Sequence, residues 1–168
     1  MKNTLQVLNT LVEEKVISDY AIGGAMGATF YIDPVMTIDL DIFVLSLDKC
    51  DLLPLQPIYQ ALKTKGYWPD EHEKECVDIE GIPVRFLPAY NPLLEEACQS
   101  AKVTEYAGTK TKVISAEHLV AISLQTGRLK DKLRVLAFNE AQILDHEKLD
   151  GILTRHGLTE KWQQWTKI

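Results

Sequence analysis

The sequence predicts an α+β fold in which a mixed β-sheet is flanked by helices and is followed by a C-terminal helical segment. Two observations support this prediction. Residues 1–114 alternate between helical and strand patterns, whereas residues 115–168 are mostly helical in pattern. We therefore expect an α/β core over residues 1–114, including the N-terminal helix, with residues 115–168 packed on it as helices.

The first half of the chain begins with a helical pattern. Leucine and valine residues recur at helical spacing over residues 3–16, and a short strand and a small-residue helix follow. Asp33-Pro34 ends that helix, and Lys65-Gly66 ends a later one. The elements expected in this half are helix 3–16, strand 20–22, helix 25–31, strand 38–47 and helix 53–65.

The second half begins with two strands that meet at Glu80-Gly81, a dipeptide typical of a hairpin turn. Ser115 is a favourable N-cap for the helix that follows it, and Gly127 and Gly157 interrupt the helical pattern further on. The elements expected in this half are strands 74–79 and 82–87, helix 93–100, strands 102–107 and 110–114, and helices from residue 115 onward.

Composition excludes several classes of protein. The chain has 168 residues, of which 46% are hydrophobic and 25% are charged, as in ordinary globular domains. The net charge of −6 argues against avid, non-specific binding of nucleic acid. Three cysteines and four histidines are scattered without metal-ligand spacing. With no long apolar run and no signal-peptide pattern, we expect a cytoplasmic protein without membrane contact.

Two carboxylates stand out on the clearest strand. Side chains alternate along a strand, so Asp39 and Asp41 share one face with Thr37, and apolar residues occupy the other. A solvated acidic face is one explanation. Aspartate is a poor strand former, however, and two aspartates on one face repel each other unless a cation lies between them. Together with substrate phosphates, such a pair suits a magnesium ion.

A glycine pair precedes this strand. Gly23-Gly24 ends a short strand and begins a helix, so the backbone there can approach a ligand closely. The helix N-terminus offers amide groups to an anion. A tight turn without a ligand is the simpler explanation of a lone glycine pair. Followed by the two aspartates, the pair indicates a site for phosphoryl transfer.

In these motifs the sequence resembles the polymerase-β-like nucleotidyltransferase superfamily. That motif is an apolar residue and Gly-Gly or Gly-Ser, followed after a helix by an Asp-x-Asp strand. Within the superfamily the chain looks like the small bacterial group that includes the abortive-infection nucleotidyltransferase toxins. Weaker similarities to that group lie at residues 82–88, 113–119 and 127–131.

The resemblance implies a reaction in which a nucleoside monophosphate passes from a nucleoside triphosphate to a hydroxyl on RNA, protein or a small molecule. Mg²⁺ or Mn²⁺ would be the cofactor. A cognate antitoxin would be a further partner. The residues implied are Asp39 and Asp41 in catalysis, Asp39, Asp41 and Asp78 as metal ligands, and Gly23, Gly24, Thr37, Arg85 and Lys130 in nucleotide binding.

Two of these assignments come from single positions. Lys130 lies in a basic stretch from Arg128 to Arg134 and matches a Lys-Asp element of the superfamily, although a solvated helix face also explains that stretch. Arg85 stands where active members carry a third carboxylate. Val35, in addition, stands where relatives often carry arginine.

Arg85 leaves three arrangements open. Asp78, on the other strand of the hairpin, replaces the missing carboxylate; or Arg85 contacts substrate phosphate; or Arg85 pairs with Asp39 or Asp41 and fills the space of a cation. A gap between the acids and Arg85 favours catalysis. A direct ion pair favours a catalytically degenerate module that binds a nucleotide or a partner protein, which is the alternative function.

Overall fold

The computed structural model describes residues 1–33, 37, 39–45, 55–69 and 75–167. Its helices are α1 (Lys2–Glu13), α2 (Gly24–Ala28), α3 (Gln56–Thr64), α4 (Pro92–Gln99), α5 (Ala116–Thr126), α6 (Leu129–Glu140), α7 (His146–Arg155) and α8 (Thr159–Thr166). Its strands are β1 (Asp19–Ile22), β2 (Leu40–Leu45), β3 (Val77–Ile79), β4 (Ile82–Pro88), β5 (Lys102–Tyr106) and β6 (Thr109–Val113). The predicted order of elements is confirmed.

The strands of the described residues form one six-stranded mixed sheet in the order β3-β4-β2-β1-β6-β5. β3–β4 and β5–β6 are antiparallel hairpins, β1 and β2 are antiparallel neighbours, and β2 runs parallel to β4. β2 therefore lies inside the sheet between two hydrogen-bonded strands. Because of this position, the residues at its beginning can meet side chains from both neighbours.

Alternate residues of β2 enter two different cores. Leu40, Ile42 and Val44 belong to a core beneath α1 and α3, as the alternation of the sequence predicts. Phe43, on the opposite face, is only 6% exposed and lies in a second core beneath α4 and α5. The face that carries the acids is therefore also covered by helices at Phe43, whereas Asp41 near the start of the strand is partly exposed.

Local signals account for the boundaries. Glu80 and Gly81 both have positive φ, of 58° and 79°, as the predicted two-residue hairpin turn requires. The hydroxyl of Ser115 accepts a hydrogen bond from the backbone N–H of His118 and so caps α5. Gly127 ends that helix in the left-handed conformation.

Several predicted boundaries differ from the structure. The helix expected over residues 25–31 is only Gly24–Ala28, because the chain turns from Thr29 onward. The N-terminal helix ends at Glu13 and not at residue 16. Three predicted elements, at 38–47, 53–65 and 74–79, cannot be compared over their full length. Residues 38, 46–47, 53–54 and 74 lie outside the described residues, and so does Val35.

The C-terminal helices share the second core with the sheet. Phe43 and Leu93 from the first part of the chain lie in one cluster with Leu119, Phe138 and Leu149 from the second. This cluster joins α4 to α5, α6 and α7. None of the helices in the described part of the chain is both long and apolar enough to cross a bilayer.

Candidate functional site

The acid pair lies where β2 begins. Asp39 immediately precedes the strand and Asp41 is its second residue, and each side chain is 20% exposed. The Thr37 hydroxyl donates a hydrogen bond of 2.7 Å to Asp39 Oδ1, which orients that carboxylate. The structure thus brings all three predicted residues together. Thr37 acts on Asp39 directly, and its predicted contact with a nucleotide stays a prediction.

Arg85 occupies the space beside both acids. β2 and β4 are parallel, and their register places Arg85 directly opposite Asp41. Arg85 Nη1 lies 3.1 Å from Asp39 Oδ2 and 3.6 Å from Asp41 Oδ1. Of the three arrangements that the sequence leaves open, the structure shows the direct ion pair. Glu75 Oε2 also lies 3.6 Å from Arg85 Nε, so acids surround the guanidinium on two sides.

The environment of Asp41 disfavours a charged carboxylate. Burial raises the pKa of its carboxyl above the ordinary value, and the negative charge of Asp39 raises it further. The cations Arg85, Arg134 and Lys130 oppose this rise. Asp41 Oδ1 is buried and has no hydrogen-bond partner. Such an atom attracts a cation or a proton.

The glycine pair makes room for the acid strand. The backbone N–H of Gly23 donates to the carbonyl of Asp41 at 2.9 Å, and a Cβ on Gly23 would lie 2.4 Å from the Phe43 ring. Gly24 has φ +58°, and a Cβ there would lie 2.0 Å from Asp41 Oδ2. Both glycines are therefore required for packing against β2. Their predicted contact with a triphosphate stays a prediction, and the five-residue α2 supplies little helix dipole.

The opposite wall of the site comes from the start of α6, which the sequence indicated only as a basic stretch. Asp131 is 1% exposed, and its carboxylate accepts hydrogen bonds from Arg128 Nε at 2.7 Å and Arg134 Nη1 at 3.4 Å. It also accepts from the backbone N–H of Arg128, which caps the helix. The buried Arg134 Nε has no hydrogen-bond partner. Asp131 thus holds two guanidinium groups at the site.

Lys130 lies beside this arrangement but not in it. Its side chain is exposed, and it does not line the cleft between β2 and α6. Its charge is nevertheless near enough to lower the pKa of Asp41. The basic residues that line the cleft are Arg128 and Arg134 and not Lys130, and the predicted contact of Lys130 with a nucleotide stays a prediction.

The cleft has a volume of about 280 Å³. This is close to the lower limit of about 300 Å³ for small-molecule pockets. Asp41 and Arg85 line it from the sheet, Arg128 and Arg134 from α6, and Tyr90 from the end of β4. Acids and guanidinium groups therefore face each other across one cavity.

Asp78 does not join the acid pair. It lies opposite Pro83 in the hairpin, as predicted, but its side chain is exposed and accepts a hydrogen bond of 3.0 Å from the backbone N–H of Gly81. Over the described residues, no three His, Cys, Asp or Glu side chains gather in a way that could hold a metal. The predicted trio of Asp39, Asp41 and Asp78 therefore does not form, because the hairpin turn engages Asp78.

The acid pair fits a divalent cation in part. Asp41 Oδ1, which accepts no hydrogen bond, and the adjacent Asp39 carboxylate fit one cation that is also bound by substrate phosphates. Arg85 stands where the resemblance implies a third carboxylate, and its positive charge is of the wrong sign for a metal ligand. The donor set therefore fits one metal ion bound together with substrate, after Arg85 has moved.

Comparison with known proteins identifies the type of fold. No protein-family model and no curated protein matches the sequence. A solved antigenic nucleotidyltransferase-like protein from Paracoccidioides brasiliensis is similar in structure, with a TM-score of 0.55 and 16% identity over 96% of this chain and 91% of that one.

The protein ANT(2'')-Ia is similar as well. Its complex with adenylyl-2''-tobramycin has a TM-score of 0.53 and 13% identity, covering 94% of this chain and 98% of that one. Its solution structure, described as that of an antibiotic-resistance factor, has a TM-score of 0.51 and 15% identity, covering 95% and 97%. The predicted grouping with abortive-infection toxins stays a prediction. These likenesses, with the mixed sheet and its flanking helices, show that the chain has a nucleotidyltransferase-like fold.

Proposed function

We propose that the cleft between β2 and α6 binds a nucleoside triphosphate. Three features support this proposal. The fold is that of nucleotidyltransferase-like proteins, and the similar protein ANT(2'')-Ia was solved in complex with adenylyl-2''-tobramycin. The cleft contains Arg85, Arg128 and Arg134, and the guanidinium group suits phosphate because its donors form a planar fork. The Nε atom of Arg134 is buried without a partner, and a phosphate oxygen would satisfy it.

The Arg85–Asp39 ion pair is the observation that favours nucleotide binding alone over nucleotide transfer. A guanidinium nitrogen 3.1 Å from the carboxylate neutralises the acid pair where a metal ion would otherwise do so. Two-metal transfer also needs carboxylates that hold both ions, and the third position is Arg85. Nucleotide binding without transfer, in a catalytically degenerate nucleotidyltransferase-fold module, is therefore the function that the geometry supports best.

Metal-dependent transfer is the second candidate function, and it is favoured by the buried Asp41 Oδ1, which accepts no hydrogen bond. Asp39 and Asp41 would hold Mg²⁺ or Mn²⁺, which supplies activation of the acceptor hydroxyl and stabilisation of the leaving pyrophosphate. Arg85 would move from the acids to the phosphates. The hydroxyl oxygen would bond to the α-phosphorus, the bond from that phosphorus to the bridging oxygen would break, and the hydroxyl proton would go to water. RNA, protein or a small molecule would be the acceptor.

One experiment separates the two candidates. The wild type and the Arg134→Gln and Asp39→Asn variants are titrated with each of the four nucleoside triphosphates, in EDTA and in Mg²⁺. The same proteins are then incubated with α-³²P-labelled triphosphates and RNA, and pyrophosphate release is measured. Nucleotide binding without transfer predicts binding in EDTA that Arg134→Gln weakens, and no labelled product.

Two outcomes contradict this proposal in different ways. Magnesium-dependent labelling by the wild type but not by Asp39→Asn would establish transfer and overturn the degenerate module. Absence of binding to any triphosphate, in either buffer, would overturn the nucleotide site itself. The proposed antitoxin partner is tested separately, since an inhibitor protein that co-purifies from the native host would support it.

A further inference from the structure

Tyr90 is an exposed aromatic side chain carried on an ordered backbone. Its side chain is 78% exposed, although the residues around it are held firmly. The N–H of Ala89 donates to the carbonyl of Val44 at 3.0 Å, which continues the pairing of β4 with β2. Asn91 caps α4 by accepting from the N–H of Leu94 at 2.9 Å, and it donates to Gln125 Oε1 at 3.0 Å. The ring is thus carried on an ordered backbone and is largely exposed to solvent.

Tyr90 forms part of the wall of the cleft. Tyr90 lines the same cavity as Asp41 and Arg85, and Leu87, Leu94 and Ile122 also line it. The cavity therefore combines a charged part, formed by the acids and guanidinium groups, with an apolar part that includes an aromatic ring. A ligand that fills both parts must be anionic at one end and planar and apolar at the other.

We propose that Tyr90 is the stacking platform for the base of the bound nucleotide. This inference rests on the proposed nucleotide binding. With the triphosphate among Arg85, Arg128 and Arg134, the base extends toward the end of β4, where the Tyr90 ring is accessible. An aromatic ring on an ordered backbone stacks on a base at little conformational cost, because only two side-chain torsions are restricted. Stacking tolerates any base, so the platform supports affinity rather than the choice of nucleotide.

The test compares two ligands that differ in the base. The dissociation constants of ATP and of inorganic tripolyphosphate are measured by calorimetry, in EDTA, for the wild type and three variants. Tyr90→Ala removes the ring and Tyr90→Phe keeps it. Tyr106→Ala is the matched control, because Tyr106 is a partly exposed tyrosine that does not line the cleft.

Stacking predicts a specific pattern. Tyr90→Ala should bind ATP roughly 5- to 150-fold more weakly than the wild type, the range for loss of one base–aromatic stack. Its affinity for tripolyphosphate should not change, and Tyr90→Phe and Tyr106→Ala should bind ATP like the wild type. Circular dichroism and thermal unfolding confirm that each variant is folded.

Failure of this inference and failure of nucleotide binding give different results. The platform is overturned, while the nucleotide site stands, if Tyr90→Ala binds ATP like the wild type. The same holds if Tyr90→Ala loses affinity for tripolyphosphate by the same factor as for ATP. If the wild type binds ATP no more tightly than tripolyphosphate, the base makes no contact and the platform is again overturned. If the wild type binds neither ligand, both proposals are overturned.

Discussion

Asp41 and Arg85 lie directly opposite each other on the parallel strands β2 and β4, with Arg85 Nη1 3.6 Å from Asp41 Oδ1 and 3.1 Å from Asp39 Oδ2. One guanidinium therefore neutralises two acids that repel each other. Burial lowers the pKa of Arg85, but the negative charges around it, with those of Asp41 and Asp39 the largest, together outweigh burial and raise that pKa. The state of this site is thus set by whichever cation lies between the acids.

Removal of that cation gives the first prediction. Arg85→Gln leaves Asp39 and Asp41 without a counter-charge, so we expect a loss of about 1–3 kcal/mol in the free energy of unfolding at pH 8. Millimolar Mn²⁺ should restore part of this loss in the variant and leave the wild type unchanged. Thermal unfolding with and without Mn²⁺ measures both effects.

The double variant Asp41→Asn/Arg85→Gln is the control for this prediction. Because it lacks one of the repelling acids, it should lose less stability than Arg85→Gln alone. Equal losses would mean that repulsion between the acids is not the cause. An Arg85→Gln protein that gains nothing from Mn²⁺ would show that Arg85 does not stand in the place of a metal ion.

The second prediction concerns the raised pKa of Asp41. A carboxyl with a raised pKa adds stability below its unfolded value of 3.8, and that stability is lost as the pH rises through the folded pKa. Asp41→Asn removes the ionisation, so the variant should melt roughly 2–4 °C above the wild type at pH 8. The difference should disappear below pH 3.8. Melting curves from pH 3 to 8 measure it.

Asp39→Asn is the matched comparison for this pH dependence. Asp39 makes the shorter contact with Arg85 and accepts a hydrogen bond from Thr37, so its neutralisation should not stabilise the protein. A rise in melting temperature for both variants at pH 8 would indicate a general effect of net charge. An unchanged melting temperature for Asp41→Asn would contradict the interpretation that burial and repulsion by Asp39 destabilise the charged Asp41 carboxylate.

Gly24 gives the third prediction. In Gly24→Ala the new Cβ would overlap the Asp41 carboxylate at a residue with φ +58°. We expect a loss of about 2–4 kcal/mol in the free energy of unfolding and loss of nucleotide binding, because Asp41 must move. Gly108→Ala is the control, since Gly108 has φ +79° but nothing lies within 4 Å of the place that a Cβ would take. It should cost only the backbone strain, about 1 kcal/mol, and leave binding intact. Equal effects of the two substitutions in urea unfolding would contradict the close approach.

The fourth prediction lies outside the cleft. Glu96 Oε1 accepts from Arg155 Nη2 at 2.5 Å, and Glu96 Oε2 lies 2.8 Å from His156 Nε2. These bonds tie α4 to the end of α7. The hydrogen bond from Arg155 lowers the pKa of Glu96 to about 2, although burial opposes the shift.

A lowered carboxyl pKa adds stability above the unfolded value of 4.5, and that stability is lost as the pH falls toward 2. Glu96→Gln should therefore lower the free energy of unfolding at pH 7 by about 1 kcal/mol or less, because water screens partly exposed pairs. The difference from the wild type should shrink between pH 4.5 and 2. Exposed Glu140, at the end of α6, supplies the control Glu140→Gln, which should follow the wild type at every pH.

Much of the fold could be predicted because its signals are local. The alternation of Leu40, Ile42 and Val44, the Glu80-Gly81 turn and the Ser115 cap each depend on a few neighbouring residues. The predicted end of α2 was wrong because apolar residues after Ala28 continue the helical pattern in the sequence but form a turn in the structure. In that segment tertiary packing overrides the local preference.

The site was predictable only in part for the same reason. The glycine pair and the acid pair are local motifs, and the sequence located both. The wall formed by Arg128, Asp131 and Arg134 depends on how α6 packs against the sheet, and periodicity does not contain that information. Asp78 was placed at the right position in the hairpin, but its hydrogen bond with Gly81 removes it from the site.

The sequence by itself determined the order of helices and strands, the glycine and acid motifs, and the presence of a base where the resemblance implies an acid. Only the tertiary structure decided how these parts meet. The parallel register of β2 and β4 sets Arg85 against Asp39 and Asp41, and the packing of α6 brings Arg134 to the same cleft. Contacts between residues far apart in the chain depend on the whole packed core, because no local pattern specifies the distance between two charges.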